Sequence, residues 1–188
     1  EALDAKTCHE AYAAAWKRLA ARLKQNPGWI GFDPMNEPYW GSIAFDAFEE
    51  KRLAPFYLQV IEAVRSERPD ALAFVEPAAS RNLGFASRLP RLGVPNVVYA
   101  PHSYNAAAEQ GNGFDPAARA TLISNIALLA DEARALDAAL WIGEYGGTTG
   151  SPGITDYMDA SYDGAAAVAA PNVYWAYDAN SGGYGMLN

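Results

Sequence analysis

Short apolar segments recur along this chain near residues 29, 71, 97, 139 and 173, and most are separated by stretches with helical spacing. Strands that are apolar throughout are buried on both faces, and strands joined through helices run parallel. The pattern therefore predicts an α/β fold with a parallel sheet covered by helices. Cys8, Tyr12, Trp16, Leu19 and Leu23 share one helical face within an Ala-rich stretch over residues 1–25, which Asn26-Pro27-Gly28 stops. Trp29 to Met35 follows as a strand. Leu53, Phe56, Tyr57, Val60, Ile61 and Val64 form the face of a second helix, with Pro55 at its first turn or at a kink because proline lacks a backbone donor. Ala71 to Val75 and Val97 to Ala100 are the next strands. Asp115-Pro116 reads as a cap followed by a first-turn proline, opening a helix that turns Leu122, Ile126, Leu129 and Ala133 inward. Ala139 to Ile142 is the fourth strand, a looser helix spans residues 154–168, and Val173 to Tyr177 is the fifth strand. No repeat, low-complexity tract or linker divides the chain.

Polar residues follow these strands in a consistent place. Asn36-Glu37 follows the first, Glu76 the second, His102 and Tyr104 the third, Glu144 the fourth and Tyr177-Asp178 the fifth. In α/β barrels such strand-end residues converge on one rim, where the active site lies. The chain has 188 residues, short of the ~250 typical of a complete eight-fold barrel.

The net charge of −8 argues against nucleic acid and anionic membrane, which select basic surfaces, and is compatible with an uncharged substrate. Cys8 is the single cysteine, so an internal disulfide is excluded. His9 and His102 are the two histidines, too few for a His-rich metal cluster. Cys8-His9-Glu10 is a poor ligand patch, because contiguous helical residues point in different directions. No apolar run approaches the ~20 residues of a membrane span. The start is not a signal peptide, and the chain reads as a piece of something longer.

Glu37 and Glu144 both end apolar strands, where a carboxylate must be paired or hydrogen-bonded. Either alone fits a structural residue on a barrel rim. Together they fit glycosidic cleavage, in which one carboxyl protonates the leaving oxygen and the other attacks the anomeric carbon. The acid needs a raised pKa, which a neighbouring carboxylate can supply. Asp33 lies inside its strand and reads as a structural hydrogen-bonder. Gly182-Gly183-Tyr184-Gly185 has no following helix and is not a phosphate loop.

Four segments resemble motifs of glycoside hydrolase family 5, in family order. Gly31-Phe32-Asp33-Pro34-Met35-Asn36-Glu37-Pro38 resembles the Asn-Glu-Pro signature at the end of the fourth barrel strand. Ala100-Pro101-His102-Ser103-Tyr104 resembles the sixth-strand His-x-Tyr. Gly143-Glu144-Tyr145-Gly146 resembles the seventh-strand nucleophile motif, and Val173-Tyr174-Trp175-Ala176-Tyr177 resembles the eighth strand. The resemblance implies Glu37 as acid/base and Glu144 as nucleophile of a retaining β-glycosidase. It implies Asn36 on the sugar 2-hydroxyl, Tyr104 donating to the nucleophile, His102 lining the rim and Trp175 stacking under the sugar. Tyr39 and Trp40 follow the acid/base and are candidates for an aglycone-side platform. Glu76, in Glu76-Pro77, is a candidate for supporting the site or contacting substrate. The chemistry requires no cofactor and no metal.

The earlier strands of that family have no counterpart here. Residues 1–188 therefore read as the C-terminal portion of a catalytic TIM barrel, roughly strands 4 to 8 with their helices, with the first three βα units missing. Open sheet edges and an uncovered inner face then predict instability or association of the isolated chain, with poor activity. Trp16-Lys17-Arg18-Leu19, Asn26-Pro27, the Glu76-Pro77 pair and the Gly183-Tyr184-Gly185-Met186-Leu187 tail resemble endoglycosylceramidase-like members, implying a glycolipid or related carbohydrate substrate. An endo-β-1,4-glucanase or other β-glycanase is the alternative within the family, and a non-catalytic carbohydrate-binding fragment is the alternative outside it. The resemblance further implies a secreted parent protein.

Overall fold

The computed structural model describes residues 5–179 and 183–187. The first four residues of the expected opening helix, and Gly182 of the glycine run, lie outside the described residues. The order of elements is α1 (Ala5–Leu23), β1 (Gly31–Phe32), α2 (Phe45–Phe48), α3 (Ala54–Arg65), β2 (Leu72–Val75), β3 (Val97–Tyr99), α4 (Ala106–Glu109), α5 (Arg119–Ala135), β4 (Ala139–Leu140), β5 (Ile142–Tyr145), α6 (Ile154–Ala167) and β6 (Asn172–Tyr174). Strands β1-β2-β3-β4 form one parallel sheet, and β5-β6 form a parallel pair.

The two sheets are joined through a single strand. The Trp141 N–H donates to the Tyr99 carbonyl at 2.9 Å, and the Ile142 N–H donates to Pro171 on the other side at 2.9 Å. The ladder with the third strand resumes where His102 bridges Glu144. Residues 139–145 thus pair first with β3 and then with both flanks, completing an open arc of five parallel strands that is not a closed barrel.

The first strand is shorter than its apolar run suggests. Pro34 brings no donor to the ladder, and Asp33 Oδ1 accepts the Met35 N–H at 3.2 Å, turning the chain away after Phe32. The other expected strands and helices are present within a few residues.

Helices cover the outer face of the arc. Tyr57, Val60 and Val64 of α3 are fully buried against Ala73, Val75 and Tyr99. Ile126, Ile142, Tyr157, Ala160 and Ala165 form a second core under α5 and α6. Burial of the valines and isoleucines among these contributes roughly 1.5–3 kcal/mol each. A Cβ on Gly164 would lie 2.6 Å from Ile126 Cδ1, so glycine sets the close approach of α6 to α5. Leu140 packs against both cores.

Between α2 and α3 the helix widens into a π-helical stretch, Glu49–Leu53, with Pro55 in the first turn beyond it. The buried Glu49 carboxylate accepts the Ala78 N–H at 2.7 Å, the Ser87 hydroxyl at 3.2 Å and the Arg88 N–H. It therefore pins the start and the middle of the segment between β2 and β3. The inner face of the arc is uncovered: Phe74 and Trp141 meet edge-on there at 5.5 Å, both partly accessible. Among the described residues no helix is long and apolar enough to cross a membrane.

Candidate active site

Because the five strands are parallel, their C-terminal ends share one rim, and the expected polar residues meet there. Glu37 has a left-handed backbone, φ 43°, unusual for a residue with a side chain. Its N–H donates to Glu76 Oε2 at 2.7 Å, which fixes that conformation. Its Oε1 accepts from Asn82 Nδ2 at 2.8 Å and lies 2.8 Å from His102 Nδ1. Opposite, Tyr104 donates its hydroxyl to Glu144 Oε2 at 2.7 Å, and His102 Nδ1 lies 3.5 Å from the same oxygen. One oxygen of Glu37, one of Glu144 and a nitrogen of His102 all lie within 4.8 Å of one another.

His102 holds these groups together. It is 6% exposed, and its second nitrogen, Nε2, lies 3.3 Å from Glu76 Oε1. Both ring nitrogens thus face carboxylates, and an imidazole donates from both only when it is protonated. Burial works against that charge, but the hydrogen bonds to Glu37 and Glu76 outweigh it and raise His102 to about 10. The hydrogen bond from His102 holds Glu37 below the usual glutamate value, against its partial burial, with Asn82 adding to the effect. This corrects the expectation of a raised acid: in the resting site the imidazolium dominates over the neighbouring carboxylate. Burial, then the bond to Glu144, pushes the Tyr104 hydroxyl up, so it stays a donor.

Glu76 is 3% exposed and Asp33 lies beside it, open on one side to the uncovered interior of the arc. The protein surrounding Asp33, together with the charge and hydrogen bond of Glu76, pushes its carboxyl up to about 8. The charge of Glu76 thus disfavours a second ionised carboxylate at Asp33.

The cleft over these groups is lined by Asn36, Glu37, Tyr104, Glu144 and Trp175, with Glu109 and Tyr184 at its margin. Trp175 is 48% exposed and anchored by its N–H to the Tyr145 carbonyl at 2.9 Å, leaving the indole available as a platform. Trp40 does not line this cleft. It stacks on Tyr39 at 3.9 Å and meets Phe45 edge-on at 6.4 Å, and Phe45 contacts Phe85 at 5.1 Å. Tyr39, Phe45 and Phe85 are exposed, so an aromatic row extends from the loop that follows Glu37. The Glu37, His102 and Glu144 donor atoms are close enough to share a cation, but both His102 nitrogens are already committed to carboxylates.

Sequence reasoning did not single out Asn82 or the partnership of Asp33 with Glu76. Asn82 sits in a 3₁₀ turn, Ala79–Leu83, 45 residues from Glu37. No periodic signal marks it; the Glu49 clamp, the Ala79 N–H bond to Pro38 (2.9 Å) and the Arg81–Glu132 ion pair (3.0 Å) hold its turn at the rim.

Comparison with known proteins agrees with this geometry. The family model described as Cellulase (glycosyl hydrolase family 5) matches residues 3–181. The structure of endo-glycoceramidase II from Rhodococcus sp. with ganglioside GM3 superposes with a TM-score of 0.85 at 33% identity, covering 94% of this chain and 41% of that one. Endoglycoceramidase I of Rhodococcus hoagii (strain 103S) is 30% identical over 46% of this chain and 20% of its own length. An endoglucanase of Paenibacillus polymyxa is 31% identical over 92% of this chain and 48% of its own length. The chain thus spans less than half of each of these relatives, and its five-stranded arc corresponds to part of a TIM barrel. With four motifs, a shared rim and a family match over nearly its whole length, the chain belongs to glycosyl hydrolase family 5.

Proposed function

We propose that the protein to which this chain belongs cleaves β-glycosidic bonds with retention, using Glu144 as nucleophile and Glu37 as acid/base. The observation that carries the reading is the approach of a Glu37 oxygen and a Glu144 oxygen to within 4.8 Å. Retaining enzymes hold their carboxyls about 5–5.5 Å apart, whereas inverting enzymes leave roughly 6.5–9.5 Å for a water.

Glu144 attacks the anomeric carbon while Glu37 protonates the departing oxygen; water then displaces Glu144 as Glu37 removes its proton. The Tyr104 and His102 contacts both fall on Glu144 Oε2, which leaves Oε1 as the attacking atom. The Tyr104 bond orients the Glu144 carboxylate for attack. Asn36 takes the sugar 2-hydroxyl, and Trp175 offers its face to sugar C–H groups. A sugar docked in the cleft expels water from around Glu37, which favours the protonated form needed for the first step.

The substrate class we favour is a glycan linked to an apolar aglycone. Glu37 protonates the leaving group, so the aglycone leaves on its side of the cleft, and the aromatic row of Tyr39, Trp40, Phe45 and Phe85 extends there. The likeness to two endoglycoceramidases supports the same reading. The likeness to an endoglucanase over 92% of the chain supports a second one, a β-glucan substrate. The test is hydrolysis of a detergent-dispersed glycosylceramide against carboxymethylcellulose by the full-length parent, with Glu37→Ala and Glu144→Ala. Loss of glycan release in both variants with binding retained supports the enzyme. A parent that binds glycan and never cleaves it overturns the reading in favour of a binding protein.

A further inference from the structure

Glu76 is the buried group whose two oxygens both serve the same distant residue. Oε2 accepts the Glu37 backbone N–H at 2.7 Å, and Oε1 faces His102 Nε2 at 3.3 Å, while His102 Nδ1 reaches the Glu37 carboxyl at 2.8 Å. Backbone and side chain of Glu37 are thus tied to one carboxylate through two routes. The groups facing His102 are Glu37, Glu76 and Glu144, with the Tyr104 ring edge-on at 6.3 Å. Asp33 approaches Glu76 from β1's end, and the Tyr57 hydroxyl donates to the Glu76 carbonyl at 2.8 Å, fixing its backbone.

We propose that Glu76, supported by Asp33, is a positioning residue that sets the proton on Glu37 through His102. This rests on the reading of Glu37 as acid/base. The arrangement follows the logic of a carboxylate that fixes the tautomer and charge of a catalytic imidazole. In the first half-reaction His102 Nδ1 passes its proton to Glu37 Oε1, and Glu37 passes it to the glycosidic oxygen as the bond to the anomeric carbon breaks. The neutral imidazole keeps its remaining proton on Nε2, toward Glu76. In the second half-reaction water bonds to the anomeric carbon as Glu144 leaves, and the water proton travels through Glu37 back to His102 Nδ1. Protons balance over the cycle with no added reactant. The nearby Glu76 carboxylate raises Asp33, which disfavours a second negative charge beside the imidazolium.

The experiment combines ¹⁵N-imidazole NMR with leaving-group kinetics in the full-length parent. The His102 signal is assigned by its disappearance in His102→Gln. The expected result for the unaltered protein is a His102 that stays an imidazolium through neutral pH and titrates near 10. Glu76→Gln lowers that midpoint by at least about one unit, because the carboxylate facing Nε2 becomes an uncharged amide. It lowers kcat for an alkyl glycoside, which needs protonation, by about tenfold or more, and spares a dinitrophenyl glycoside, which does not. If Glu76→Gln fails to fold, Glu76→Asp, which draws the carboxylate back from Nε2, lowers the His102 midpoint instead, and an unshifted midpoint overturns the proposal. An unaltered His102 that titrates at the ordinary value near 6.5 overturns the proposal without any variant. So does a Glu76→Gln protein with an unshifted His102 and equal losses on both glycosides. Failure of the Glu37 assignment is separable: Glu37→Ala then shows no leaving-group dependence, while the response of His102 to Glu76→Gln persists.

Discussion

The Tyr104 hydroxyl donates to Glu144 Oε2 at 2.7 Å, across the parallel bridge that joins the ends of the third and fourth strands of the arc. The bond is made to a charged acceptor, a class worth about 1.5–3 kcal/mol. Tyr104→Phe in the full-length protein should therefore lower kcat by roughly 10- to 100-fold, at about tenfold per 1.4 kcal/mol. The melting temperature should change little, since the ring is retained. Equal kcat values for variant and parent would show that Glu144 does not depend on this bond.

Asn82 has the opposite partner, and its removal acts through Glu37. The amide stabilises the ionised carboxylate, so Asn82→Ala raises the Glu37 pKa from its lowered position. The first step needs protonated Glu37, which places this group on the basic limb of the kcat/KM profile. That limb should move to higher pH. A shift to lower pH, or none, would contradict the assignment of Asn82 to this carboxyl.

Stability should carry the signature of the same cluster. Asp33 rises from 3.8 to about 8 on folding and His102 from 6.5 to about 10. A group with a raised folded pKa contributes stability that is full below its unfolded value and is lost as pH climbs to the folded one. Asp33 therefore removes stability between about pH 4 and 8, and His102 between about 6.5 and 10. Glu37, lowered on folding, contributes above 4.5 and loses its contribution as pH falls through its folded value. Thermal melts should show a maximum in mildly acidic buffer and a decline toward pH 10. Asp33→Asn should flatten the decline between pH 4 and 8 in particular, whereas a slope unchanged by that variant would place the titration elsewhere.

The uncovered inner face predicts association of the isolated 188-residue chain. Phe74 and Trp141 are partly accessible on that side, and Ile30, beside the edge strand β1, is 57% exposed. Gel filtration should show species larger than a monomer, with binding of a hydrophobic dye. A monomer with one sharp cooperative melt would show that the arc shields this face by itself.

The strands and their order were legible because apolar runs and helical spacing record burial directly. Leu53, Phe56, Tyr57, Val60, Ile61 and Val64 are all buried or nearly so, as their spacing implied. The rim was legible for the same reason, since each polar residue sits where an apolar run ends. Charge states were not. Two facing carboxylates suggested a raised acid, but His102 lies between them and reverses the sign for Glu37. The residues that meet it, Glu76 and Asn82, lie 39 and 45 positions from Glu37, and no local pattern encodes such a meeting. The π-helical turn at Glu49 was also invisible, because helical periodicity on either side of it is preserved.

Residues 139–145 have a wider consequence. Glu37 and Glu76 are carried by strands packed on the first core, Glu144 by the stretch packed on the second, and Leu140 is wedged into both. The spacing of the two carboxylates is therefore a property of the joint between two separately packed bodies, with Leu140 as its pivot. Repacking at that pivot is a way to tune the gap between Glu144 and Glu37 without altering either one.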